Sequence, residues 1–221
     1  MGGTVDTISY TYNVRSWLTS INDGSWQEQV YYDNDPSQPY YNGDIARSTW
    51  TYNGTTKGYM YTYDGLNRLT YADYGEGNSL TTNQHAQDED FTFDKMGNVT
   101  GIYRENQGSV IDNVTLHYIG NHLKYGTDAA GASTLYGITE YTDDKDTIPE
   151  FYYDANGNLT ADLDKNIVTI RYNVLNLPDT IQFGNGRQII NSYDAGGHKL
   201  TTQYYTPIGT VIVTQGNIHG G

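Results

Sequence analysis

The chain has 221 residues, among them 23 Tyr, 25 Gly, 5 Pro and no Cys, and 12 Lys+Arg against 26 Asp+Glu give a net charge of -14. The missing cysteine excludes disulfides and thiolate metal sites, and so acidic a surface disfavours phosphate backbones and anionic lipid as partners. Apolar residues make up only 36%, a low share for a globular chain, so a core must draw on tyrosine rings with their apolar bodies and polar tips.

The opening MGGTVDTISY has neither the basic n-region nor the apolar h-region of a signal peptide. No window approaches the ~18 apolar residues of a membrane helix, so a soluble chain is expected. The sequence starts as if inside a repeat, and a segment of a larger protein is expected.

The first predicted element is a hairpin in YTYNVRSWLTSI (10–21), with Tyr12 followed by Asn13 and, six residues after the tyrosine, Leu18. Its leading strand, TISYTYNV (7–14), alternates apolar and polar residues and has no charge or proline to block edge pairing. DNDPSQPYYNGD (33–44) predicts a long surface loop. YTYDGLNRLTYA (61–72) repeats the hairpin with Tyr63, Asp64 and Leu69, and FTFDKMGNVTGI (91–102) repeats it with Phe93, Asp94 and Val99. LHYIGNHLKYG (116–126) is a looser copy, and TLYGITEYTDDKD (134–146) predicts strand with loop. FYYDANGNLTAD (151–162) carries Tyr153, Asp154, Gly157 and Leu159. IRYNVLNLPDTI (170–181), around Tyr172, and NSYDAGGHKLTT (191–202), around Tyr193 and Asp194, follow at spacings of 19 and 21 residues. GTVIVTQGNI (209–218) predicts an apolar, β-branched and unprotected closing strand.

Each part of the unit has a physical task. Aromatics at i and i+2 share one face of a strand, and Thr and Tyr suit a pleated, half-buried surface. The Asp or Asn after the key aromatic can accept hydrogen bonds from amides just ahead and start a turn. Asn67, Gly97 and Gly157 stand where a short loop needs positive φ. The aliphatic residue six positions on re-enters the sheet opposite the aromatic. A helical reading is weak, because no 3.6-residue apolar stripe is sustained and Gly, Asn, Thr and Tyr disfavour helix.

YDANGNLT, YDGLNRLT, YNVLNLPDTI and YDAGGHKLTT resemble the tyrosine-aspartate (YD) repeats of Rhs proteins, and YNVRSWLTSI followed by YYNGDIARSTW is similar to Rhs-type repeats of Bacteroidetes-like bacteria. The resemblance covers nearly the whole chain. It implies hairpins joined edge to edge into a long sheet that spirals into a hollow shell, an architecture shared by Rhs proteins, insecticidal toxin complexes and teneurins. In bacterial members such a shell commonly encloses a C-terminal toxin. Complete Rhs proteins also carry a self-cleaving core after the repeats, with a DP-x-G-R-like stretch. Nothing here matches it, so no catalytic residue carries over. What carries over is a turn and stacking role for Tyr63/Asp64, Phe93/Asp94, Tyr153/Asp154 and Tyr193/Asp194.

Other chemistry is thinly signalled. His85, His117, His122, His198 and His219 form no H-x-x-x-H pair, and ordinary surface or sheet histidines are the simpler reading. Acidic clusters lie at 33–35, 88–90 and 143–146. Calcium wants several oxygens on one loop; the 33–44 loop is the best local candidate but lacks EF-hand spacing, and solvated loop acids explain it. A glycosidase needs two placed carboxylates, and nothing singles out a pair. Trp17 reads as core, and a carbohydrate platform built on Trp17, Trp26 or Trp50 is the more distant reading.

The expectation is therefore an all-β fold, a curved or spiral antiparallel sheet of repeated β-hairpins forming one domain over residues 1–221. Its function is structural and non-catalytic, a shell segment that encloses or presents another polypeptide such as a toxin. A self-assembling extracellular fibre subunit and a carbohydrate-binding module are the alternatives. No cofactor, metal or nucleic acid is expected. The partners expected are neighbouring repeats or further copies through sheet edges, and possible enclosure of a toxin polypeptide. A secreted or cell-surface location follows from the resemblance alone. The structural-repeat residues are Tyr12, Asn13, Tyr63, Asp64, Phe93, Asp94, Tyr153, Asp154, Gly157, Tyr172, Tyr193 and Asp194.

Overall fold

In the computed structural model, residues 7–130, 141 and 148–207 are described. Every regular element among them is a β-strand, so no helix there is long and apolar enough to cross a membrane. The chain divides into two compact units, one of residues 1–115 and 128–141, the other of residues 116–127 and 142–221.

A ten-stranded sheet runs in simple chain order. Its strands are β1 (Ser9–Tyr12), β2 (Leu18–Asn22), β3 (Trp26–Tyr31), β4 (Arg47–Tyr52), β5 (Thr55–Tyr63), β6 (Leu69–Glu76), β7 (Glu89–Phe93), β8 (Val99–Asn106), β9 (Ser109–Ile119) and β10 (His122–Asp128). A six-stranded sheet follows, also in chain order. It holds β11 (Phe151–Tyr153), β12 (Leu159–Asp162), β13 (Ile167–Tyr172), β14 (Pro178–Phe183), β15 (Gln188–Tyr193) and β16 (Lys199–Tyr205). Neither sheet closes on itself. Antiparallel neighbours in sequence are the arrangement that short hairpin loops permit.

Two kinds of tight turn recur among the described strands. The predicted aromatic–Asx hairpins supply six connections, β1–β2, β5–β6, β7–β8, β11–β12, β13–β14 and β15–β16. Between them lie hairpins of another type. Asn53-Gly54 joins β4 to β5 with φ of 48° and 75°, and Gln107-Gly108 joins β8 to β9 with φ of 51° and 71°. Two successive positive φ values match the right-handed twist of the flanking strands.

The core of the first unit is aromatic, as the composition demands. Trp50, Tyr61 and Tyr74 surround Tyr59 at ring-centroid distances of 5.9, 6.1 and 5.5 Å. Trp17 packs on Tyr32 at 5.1 Å. Tyr74 and Leu80 are fully buried, with Val30, Ala46, Ala72, Ile111 and Val114 beside them in the buried set. In the second unit Phe151 and Ala161 are buried. The expected edge strand over 7–14 is shorter, Ser9–Tyr12. The loop over 33–44 joins β3 to β4, but it is not wholly a surface feature: Asp35 is buried and faces Arg47 Nε at 2.9 Å. That ion pair anchors the loop inward, and the exchange of water for a guanidinium requires such a partner. The strands expected in 134–146 and 209–218 lie outside the described residues, save for Tyr141.

Gly58 and Gly75 stand opposite one another across β5 and β6. A Cβ at Gly75 would run into the backbone carbonyl of Leu80, whose own side chain is fully buried. Glycine is required here because a neighbouring backbone presses onto the strand. Gly75→Ala is expected to cost ~1–3 kcal/mol, the usual scale of overpacking. Gly65→Ala, with open space around its Cβ position, is expected to be near neutral. Urea denaturation followed by tryptophan fluorescence distinguishes the two.

Candidate functional site: the repeated turn and its tyrosine ladder

The Asp or Asn after the key aromatic makes the same contacts in all six hairpins. Its Oδ1 accepts from the amides at i+2 and i+4. For Asp64 the donors are Leu66 (2.8 Å) and Arg68 (3.1 Å). For Asp94 they are Met96 and Asn98, for Asp154 Asn156 and Asn158, and for Asp194 Gly196 and His198, all at 2.8–2.9 Å. Asn13 and Asn173 do the same at 2.9–3.0 Å. The backbone closes the ring: residue i donates to the carbonyl at i+4, and i+3 donates to the carbonyl of i. Residue i+3 has positive φ every time, at Ser16, Asn67, Gly97, Gly157, Asn176 and Gly197.

Just before each turn the register slips by one residue, so the key aromatic pairs with the residue six positions on. The pairs are Tyr12↔Leu18, Tyr63↔Leu69, Phe93↔Val99, Tyr153↔Leu159, Tyr172↔Pro178 and Tyr193↔Lys199. Such a bulge re-aims the side chain and increases local twist.

The tyrosine hydroxyls then connect one hairpin to the preceding one. Tyr172 donates to the carbonyl of Leu159 (2.8 Å), and Tyr193 to that of Pro178 (2.9 Å). In each case the acceptor is the residue paired with the previous tyrosine. Tyr32 donates to Leu18 (3.0 Å) in the same way, whereas Tyr63 donates to the carbonyl of Ile45 (3.0 Å), in the connection before β4. Desolvation pushes Tyr63 up to about 12 and raises Tyr153 and Tyr172, so these hydroxyls stay protonated donors at neutral pH.

The rings are half-buried, and both cationic and aromatic side chains cover them. Arg68 lies over Phe93 at 4.6 Å, and its Nη1 donates to the carbonyl of Asp94 at 3.0 Å. His122 stacks on Tyr153 at 4.5 Å and Lys124 lies 5.6 Å from the same ring. Lys199 covers Tyr193 at 5.9 Å. Tyr63 has an aromatic neighbour in edge contact, Tyr40 at 5.2 Å. Cations above aromatic faces are favourable, and here they use a scarce basic complement. Asn158 and Asn176 bridge successive turns by a reciprocal amide pair at 2.6 and 3.1 Å. At the other extreme, Tyr10 and Tyr12 on β1 are 53% and 60% exposed, which leaves the start of the ladder open.

The described residues also bring together Asp73, His85 and Asp88. The sequence reading kept these three apart, because no local motif spans them. The loop at 33–44 does not gather its acids round one point: Asp35 faces Arg47, and Asp44 accepts from the Asn42 side chain.

The turn acids are held below the usual carboxylate range. The largest cause is the side-chain hydrogen bond from Asn98 for Asp94 and from Asn158 for Asp154, with the turn amides adding to it. A carboxyl whose folded pKa lies below its unfolded value stabilises the fold above the unfolded value, near 3.8, and loses that contribution as pH falls through the folded value. Asn13 and Asn173 show that the turn needs an oxygen rather than a charge. Asp94→Asn/Asp154→Asn is therefore expected to melt like the parent at pH 7 but to lose less stability between pH 5 and 2. Thermal melts followed by circular dichroism measure it; parallel acid profiles would remove these turns as a source of acid sensitivity.

Removing one ladder hydroxyl gives a second expectation. Tyr172→Phe keeps the ring but strands the Leu159 carbonyl, and it should cost ~0.5–1.5 kcal/mol. Tyr152→Phe, on the exposed side of β11, should cost nothing measurable in the same denaturation assay.

No family model matches the sequence, and no curated protein is detectably similar to it. Solved structures are similar in fold. One is the Tc holotoxin pore of Photorhabdus luminescens carrying a TccC3 mutation, 13% identical, with 95% of this chain and 9% of that chain covered at a TM-score of 0.51. Another is the crystal structure of TcdB2-TccC3, 12% identical, covering 93% of this chain and 12% of that one, at a TM-score of 0.36 that adds no weight. The chain thus spans about a tenth of the length of these much longer polypeptides. The first likeness carries the fold alone: an all-β arrangement of open antiparallel sheets, consistent with the Rhs-like sheet that the repeats resemble.

Proposed function

We propose that residues 1–221 act as one structural, non-catalytic YD-repeat domain, a segment of an Rhs-type β shell that encloses or presents another polypeptide such as a toxin. The observation that carries this reading is the recurrence of one turn in six hairpins among the described residues, with Tyr172 and Tyr193 each bonding through the hydroxyl to the hairpin before. A device copied this often serves the sheet. A catalytic constellation is a single arrangement of unlike groups, and the repeated Tyr–Asx pairs are satisfied internally by turn amides. The fold likeness to a Tc toxin component supports the same reading, as does the resemblance of the repeats to Rhs sequences. On this proposal the protein is secreted or displayed at the cell surface, and its partners are neighbouring repeats and an enclosed chain. The direct test is electron cryomicroscopy of the natural translation product. Further hairpins continuing the sheets around internal density would support the proposal, and a product with no additional repeats would sink it.

The alternative of a fibre subunit is favoured by one feature. β1 pairs only with β2 among the described residues, and Ile8, Tyr10, Tyr12 and Val14 are all more than half exposed. An uncovered strand edge can template pairing with another chain. Copies that join head to tail make rings or filaments. The charge of -14 opposes contact, so assembly should strengthen with salt as repulsion is screened. Light scattering of the intact chain and of one lacking residues 209–221 separates the readings. A monomer at high concentration and high salt is expected for the shell segment, whereas salt-promoted polymers that need residues 209–221 would favour the fibre.

A further inference from the structure

The connection from β6 to β7 is long, and the strands it joins meet briefly. Only Tyr71↔Asp90 and Ala72↔Glu89 are in register between them. The loop over 77–88 returns along β6, and its last turn brings His85 and Asp88 against Asp73. His85 Nδ1 lies 2.7 Å from Asp88 Oδ2 and 3.5 Å from Asp73 Oδ1. Each of the three residues offers one donor atom, and all three atoms lie within 4.8 Å of one another.

Three features distinguish this group from a chance cluster of acids. Asp88 is 4% exposed and held in place on both oxygens: the Tyr74 amide donates to Oδ1 at 2.9 Å, and the Tyr71 hydroxyl donates to Oδ2. Asp73 Oδ1 is buried without a hydrogen-bond donor, although it points at the imidazole. An orphaned carboxylate oxygen in that position is costly, and a cation between it and its two neighbours would satisfy it. The third feature is the donor set. An imidazole nitrogen with two carboxylate oxygens suits zinc and similar transition ions, whereas calcium and magnesium favour oxygen alone. Bonds of ~2.0–2.1 Å to a tetrahedral ion place neighbouring ligand atoms ~3.3 Å apart, between the two separations seen at His85 Nδ1.

We propose that Asp73, His85 and Asp88 form a three-ligand site for a divalent transition ion of the zinc type, which fastens the 77–88 loop to β6 at the narrow β6–β7 seam. The ion displaces the proton of His85 Nδ1. The Tyr71 hydroxyl and the Tyr74 amide orient Asp88, as hydrogen-bond partners of metal ligands do. His85 is largely exposed on its side chain, so a fourth position remains open to water. The role is structural: the ligands come from one strand and the loop that follows it.

The test uses the intact chain, stripped with chelator and titrated with zinc chloride by calorimetry, with melting temperature and cobalt(II) absorption as separate readouts. The comparison variants are His85→Asn, Asp73→Asn and His198→Asn. Asparagine tolerates the positive φ of His85, 62°, and circular dichroism without metal establishes that each variant folds. One zinc per chain is expected, with a raised melting temperature and visible cobalt bands in the parent and in His198→Asn. Affinity should fall at least ~tenfold in His85→Asn and Asp73→Asn, the scale on which metal sites respond to perturbation. Absence of binding in the parent would overturn the site. So would unchanged affinity in both ligand variants, or calcium binding as tight as zinc. If a variant does not fold, zinc-edge absorption of the parent decides: a single nitrogen among oxygens supports the site, and any other nitrogen count overturns it.

Discussion

A hairpin that reverses within a few residues points several amides into its own turn, where no strand can accept from them. One side-chain oxygen, on the residue after the key aromatic, solves this six times among the described residues. It can do so only if the chain bulges just before it and adopts positive φ three residues later. The bulge turns the aromatic across the sheet, and the aromatic then reaches the neighbouring hairpin. Local turn chemistry thereby dictates long-range order. The spacing between hairpins is set by where one hydroxyl finds the preceding carbonyl, as with Tyr172 on Leu159 and Tyr193 on Pro178.

This logic explains how a chain with few aliphatic residues holds together. Aliphatic cores stabilise by area removed from water, and this protein has limited area of that kind. Tyr63, Tyr172 and Tyr193 combine a part-buried ring with a satisfied hydroxyl, so each contributes through burial and through a hydrogen bond that fixes register. The acidic balance is managed locally. Asp112 is fully buried and accepts from Arg104 Nε at 2.6 Å and from the Tyr141 amide at 2.6 Å. Glu150, nearly as buried, accepts from the Gly126 amide at 3.0 Å. Both of these interior charges therefore meet a donor, which their desolvation demands.

The hairpin unit was legible in the sequence because its determinants are contiguous: aromatic, Asx, a residue tolerant of positive φ, and an aliphatic return all fall within seven positions. Asn53-Gly54 is a strong two-residue hairpin signal, although it carries no Tyr–Asp motif. The Asp73, His85 and Asp88 group was not legible. His85 lies twelve residues beyond Asp73, and only the return of the loop along β6 makes them neighbours. The inward anchoring of Asp35 was hidden for the same reason, since its partner Arg47 stands on the far side of a loop. Sequence patterns report what lies along the chain, whereas these contacts depend on where a loop folds back.

The six turns also act as an internal substitution series that shows which atoms matter. The turn residue is Asp four times and Asn twice, so an acceptor oxygen is needed and a charge is not. Position i+3 is Gly, Asn or Ser, always with positive φ, so backbone conformation is selected and side-chain chemistry is not. The residue paired with the aromatic is Leu, Val, Pro or Lys, and at Leu18, Leu159 and Pro178 its carbonyl accepts a tyrosine hydroxyl. Phe93 is the informative exception, because it has no hydroxyl to donate. There Arg68, from the preceding turn, covers the ring and donates its own N–H to the Asp94 carbonyl. The link between those two hairpins runs in the opposite direction through a different group, yet it still pairs a ring with a hydrogen bond to a backbone carbonyl. What the repeats preserve is therefore a connection between adjacent hairpins, with tyrosine as its usual chemical form.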